Sequence, residues 1–132
     1  IRPLLSHGEK MADKLLFIMV NTDPANGTEL GAPFFLATVA AAMEYEVEVV
    51  LSGCSGELAV RGVADKLVVQ PGSGRTVYDF IREAYEAGVK FKVCTPMLEM
   101  WGDDLIPEIS ETVGAAYVIS EAMDDNIVTF TY

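Results

Sequence analysis

The chain has 132 residues, 51% of them hydrophobic and 22% charged, which suits one compact domain rather than two and excludes a chain disordered by composition. Twenty acidic residues against nine basic ones leave a net charge of -11, a surface that repels phosphate backbones, so no nucleic-acid partner is expected. The longest uninterrupted apolar run covers only 15–20, far short of the ~20 residues a bilayer span requires.

The opening segment has no basic start followed by a long apolar block and a cleavage site, so a cytoplasmic protein is expected. Met11 reads as a natural start, and residues 1–13 are set apart as an extension outside the core, together with the lone histidine, His7. The domain is expected over 14–132.

LLFIMV at 15–20 is apolar at every position, as a strand covered on both faces would be. A turn-rich stretch follows at 21–27, and Thr28 is positioned to cap a helix running to about Glu44. EVEVVL at 46–51 alternates and predicts a second strand, less covered than the first. SGCSG at 52–56 is a turn, and residues 57–61 form a short helix. Residues 66–69 predict a brief strand and 70–74 a loop. Thr76 then caps a helix to about Ala87, ended by Gly88, with Val77, Phe80, Ile81, Ala84 and Tyr85 on one face.

KFKVC at 90–94 is the next strand, followed by Thr95, Pro96 and a short helical stretch through Met100. Residues 115–123 read as a helix and 126–131 as a last strand. Alternating strands and helices imply a mostly parallel sheet in a three-layer α/β sandwich.

In such sheets chemistry collects where strand carboxyl ends meet helix starts. Cys94 ends its predicted strand. With Thr95 as N-cap and Pro96 as first helical residue, the sulfur would face free N–H groups and a positive dipole end, both of which stabilise an anion. A strand-end cysteine is also an ordinary small core hydrophobe, and that reading stands beside the reactive one. Met97 and Trp101 would wall a small apolar pocket or simply pack.

Cys54, between two glycines, is a possible second thiol or an incidental loop residue. A 2-1-3-4 strand order would put two strands between the cysteines, roughly 14 Å, too far for a disulfide without movement. No CxxC or Cys/His cluster points to a metal, and no cofactor is implied. GSGRT at 72–76 precedes a helix but lacks the Walker lysine and the GxGxxG pattern. The paired aspartates 103–104 and 124–125 suit helix capping as well as a hard cation. No imidazole base is at hand for a triad. What remains is chemistry a lone thiolate performs: accepting a sulfur, holding it as a persulfide and giving it up, or reversible oxidation.

Four stretches resemble the DsrE/DsrF family of sulfur-relay proteins: KLLFIMVNTDP, the helix end MEYEVEVVLSG, ELAVRGVADKL, and KVCTPMLEMWG at the strand end. Together they span most of 14–131. The resemblance implies a flavodoxin-like α/β sandwich, assembly into trimers or hexamers, and transfer of persulfide sulfur between donor and acceptor proteins. It implies that Cys94 carries the sulfur, as a sulfurtransferase-like carrier rather than a multiple-turnover enzyme. Some family members have a second cysteine several residues on. Met100, Trp101 and Gly102 stand there instead, which favours a one-thiol carrier. Two other classes stay open: a non-catalytic interaction subunit with packed cysteines, and a domain that binds a small ligand or nucleotide at the strand ends.

Overall fold

A computed structural model describes residues 13–132. The expected extension before residue 14, with His7, lies outside the described residues except for Asp13. Five strands, β1 (Lys14–Met19), β2 (Glu46–Leu51), β3 (Lys90–Cys94), β4 (Ile109–Val113) and β5 (Ile127–Thr131), form one sheet in the order β4-β3-β2-β1-β5. All four pairings are parallel. Four helices join them: α1 (Gly31–Ala42), α2 (Val77–Glu86), α3 (Met97–Trp101) and α4 (Ala115–Ala122).

Helices α1 and α2 lie side by side on one face. There Phe17, Met19, Val47, Val49, Leu51, Phe91 and Val93 meet Phe34, Ala37, Ile81 and Ala84 in the main core. Alternation sends Leu16 and Val50 to the other face, where they and Val113 form a smaller cluster under Tyr117 and Val118 of α4. This is the three-layer α/β sandwich expected from the sequence, with the sheet wholly parallel.

Local chemistry explains several element ends. Thr76 caps α2 by accepting from the Asp79 amide at 3.2 Å, while the Asp79 carboxylate accepts from the Thr76 amide at 2.9 Å, a reciprocal capping box. Gly88, with φ of +110°, ends that helix in a left-handed conformation suited to glycine.

Four expectations need correction. Strand β2 is the best covered of the sheet rather than poorly covered, because it is the central strand, and it is buried from Val47 to Leu51. Residues 66–69 form no strand. Only an isolated bridge from Val68 to Thr76 occurs there, and β4, which the sequence left unassigned, takes the place beyond β3. Thr28 does not cap α1: its hydroxyl donates to the Asn26 side chain at 3.3 Å, and a 3-10 turn at Gly27–Glu29 leads into a helix with Leu30 at the N-cap. Lastly, β2 and β3 are neighbours, with Leu51 beside Val93, so Cys54 and Cys94 follow adjacent strands rather than strands three positions apart.

Candidate functional site

Both cysteines are free thiols at the carboxyl end of the sheet. In β3, Phe91 and Val93 enter the main core, so Lys92 and Cys94 project to the α4 face. Cys94 is half-buried and touches both apolar clusters from the rim. Across the ladder its partner is Val113, the last residue of β4.

Thr95 secures this corner. Its amide donates to the Val113 carbonyl at 2.9 Å and its hydroxyl to the same oxygen at 3.2 Å. That is why it is not the helix cap expected from the sequence: its hydroxyl is used by a strand 18 residues further along. Pro96 takes the N-cap position, without a side-chain cap bond, and α3 is only five residues long. So short a helix supplies little dipole.

The helix start next to the Cys94 face belongs to α4. Gly114, its N-cap, directly follows the ladder partner of Cys94 and has no side chain with which to cap. The first amides of any helix lack intrahelical acceptors, and here they belong to Ala115 and Ala116, two exposed residues with small side chains.

The 3-10 segment Gly53–Ala59 carries Cys54 over the same end of the sheet. Gly53 is obligatory there: φ is +51°, and a Cβ would approach the Val20 carbonyl oxygen to 2.7 Å. The Cys54 amide donates to that carbonyl at 3.0 Å, and the Trp101 indole donates to the Gly53 carbonyl at 3.2 Å. Met97 packs into the main core against Gly56. The structure thus gathers Cys54, Cys94, Thr95, Met97 and Trp101 at one end of the sheet. Cys54 is exposed on its loop, and Trp101 ties that loop to α3.

The alternatives find less. At 72–76 the amide that an incoming phosphate would seek is occupied by the Asp79 carboxylate, and Arg75 pairs with Glu83 and lies over the Phe80 ring. Asp104 pairs with Arg61 at 3.0 Å, and Asp124 accepts from the Asn126 amide at 2.8 Å. A cavity of about 220 Å³ bounded by Arg61, Tyr78, Ile106 and Pro107 has neither cysteine in its walls.

Sequence reasoning missed a charged cluster beneath α4. Glu48 of β2 is 2% exposed and Lys92 of β3 is 8% exposed. The Lys92 ammonium lies 2.5 Å from Glu48 and 2.8 Å from Glu111, and donates to the Tyr117 hydroxyl at 2.7 Å. Tyr117 in turn donates to the Glu48 carboxylate at 2.8 Å. Lys14 adds contacts to Glu121 at 2.9 Å and Glu46 at 3.4 Å. Burial alone would lower Lys92, but its bonds to Glu111, Glu48 and Tyr117 outweigh that and hold it above the ordinary lysine range. Burial, assisted by Glu48, pushes Tyr117 up to about 12 against the pull of Lys92. The signal was present in the sequence: charges at alternate positions of EVEVVL and KFKVC, two strands otherwise apolar enough to be central.

No helix among the described residues is long and apolar enough to cross a membrane. The family model described as DsrE/DsrF-like matches residues 14–128. The chain belongs to the DsrE/DsrF-like family. The match takes in the sheet from β1 into β5, and with it Cys54, Cys94 and the charged cluster. No curated protein matches this DsrE/DsrF-like chain.

Proposed function

We propose that this DsrE/DsrF-like protein is a cytoplasmic sulfur carrier whose working atom is the Cys94 sulfur. The observation that carries the reading is the placement of a free, half-exposed thiol at a strand's carboxyl end, beside the uncapped start of α4. The Cys94 thiolate attacks the outer sulfur of a donor persulfide. A new S–S bond forms on Cys94, the donor's S–S bond breaks, and the donor leaves as a thiolate that takes up a proton from water. An acceptor thiolate then attacks the outer sulfur and displaces the Cys94 thiolate. One sulfur atom moves and no external oxidant or reductant is consumed.

The α4 amides would stabilise the persulfide anion between the two steps. Donor and acceptor are proteins presenting reactive thiols, and the carrier turns over only as fast as they exchange. Assembly into a homo-oligomer, a trimer or hexamer, is part of the proposal. Its support is α1, which has no charged residue and exposes Phe35, Leu36 and Val39, with Met43 exposed just beyond its end.

Mass spectrometry after incubation with a sulfane-sulfur donor tests the reading. The wild type gains one sulfur and Cys94→Ser gains none. Equal loading of that variant would sink the role of Cys94. The contact of Cys94 with both apolar clusters favours a second reading, a packed thiol in a non-catalytic subunit. Alkylation separates the two: a packed thiol reacts only after denaturation.

A further inference from the structure

The cluster under α4 is costly. A carboxylate and an ammonium have been removed from water in central strands, where apolar residues of similar size would hold the sheet as well or better. What apolar residues would not do is fix one helix in one position, since hydrocarbon contacts tolerate sliding and hydrogen bonds do not. Tyr117 is the only residue of α4 that reaches both buried charges, through 2.7 Å to Lys92 and 2.8 Å to Glu48. It stands in the first turn of α4, three residues after Gly114. Its ring packs on the Leu16, Val50 and Val113 cluster that also receives Cys94. The cluster therefore fastens the end of α4 that borders the thiol. The far end relies on the more exposed Lys14–Glu121 pair.

We infer that Tyr117 is a positioning residue for Cys94: pinned by Glu48 and Lys92, it holds the first turn of α4 against the end of β3, so that the turn's amides face the sulfur. The inference rests on the reading of Cys94 as the reactive thiol, and it adds a group that touches neither donor nor acceptor. Its hydroxyl acts through the backbone of Gly114, Ala115 and Ala116.

The test is the pH profile of Cys94 alkylation in the Cys54→Ser background, compared with Tyr117→Phe. Phenylalanine keeps the ring on its apolar cluster and leaves Lys92 bonded to Glu48 and Glu111, so the fold survives. The expected result is a profile displaced toward alkaline pH, with the rate at neutral pH down on the order of tenfold, the scale of one hydrogen bond to charged groups. Ala122→Gly weakens α4 at its far end and serves as the control, with an unmoved profile expected. A Tyr117→Phe profile that coincides with wild type overturns the inference. So does an equal displacement in Ala122→Gly, because general loosening of the helix would then suffice. Sulfur uptake by the wild type is measured alongside. Its absence would sink the carrier reading, while the alkylation profiles still decide the role of Tyr117.

Discussion

Gly56 has no room for a side chain. A Cβ there would meet Met97 Cγ at 2.7 Å and collide with its sulfur, and Met97 is itself buried. Gly56→Ala is expected to destabilise the fold by about 1–3 kcal/mol, read by urea denaturation, because the methionine must leave its packed position. At Lys92 the cost of change is electrostatic. Lys92→Met leaves the buried Glu48 carboxylate with the Tyr117 hydroxyl as donor and the Lys14 ammonium 3.9 Å away as its remaining cation, a loss of about 3 kcal/mol, the low end for a broken buried pair. Adding Glu48→Met should recover most of that loss, and a double-mutant cycle measures the coupling directly. Cys54 is exposed on its loop, so Cys54→Ser should still take up one sulfur at Cys94. Cys94 itself was legible as a strand end because KFKVC alternates into Thr-Pro. The role of Thr95 was not, since its acceptor belongs to a strand whose pairing no local pattern reveals.

At the scale of elements, the legible ones had a one-sided or continuous signal. Strand β1 is apolar from Leu15 to Met19, and α2 combines a cap, a 3.6-residue period and a terminating glycine. Strand β4 had neither. It is an edge strand whose middle, Ser110, Glu111 and Thr112, is exposed, and only Ile109 and Val113 are apolar. The strand order could not be read either, because crossover connections of ordinary length serve several orders. Helix α4 responds to pH in a calculable direction. Glu111 and Glu121 are held below the ordinary carboxylate range by their bonds to Lys92 and Lys14 respectively, so their contribution is present above about pH 4.3 and is lost as pH falls. Lys14 and Lys92 are held above the ordinary lysine range, so their contribution is full below about pH 10.4 and is lost above it. Hydrogen exchange should therefore show α4 losing protection below about pH 4 while α1, which has no charged residue, keeps its own.

For the whole molecule, a charge of -11 opposes self-association, and the charge-free α1 is where copies can approach. Added salt, by shortening the Debye length to about 8 Å at 0.15 M, should strengthen assembly, and sedimentation velocity would register the shift. Phe35 is 59% exposed, so Phe35→Asp spares the core and is expected to give a monomer at every salt concentration tried. A wild type that stays monomeric throughout would remove the oligomer from the proposed function.

The two faces of the sheet are fastened by unlike forces. Hydrocarbon contact behind α1 and α2 weakens on cooling, whereas the ion pairs behind α4 grow less costly to bury on warming. Cooling therefore weakens both layers, whereas acid acts first on the α4 layer, whose anchors titrate. A brief acid pulse at room temperature would lift one cover from the sheet and bare the Cys94 sulfur to solvent, while the opposite cover stays in place.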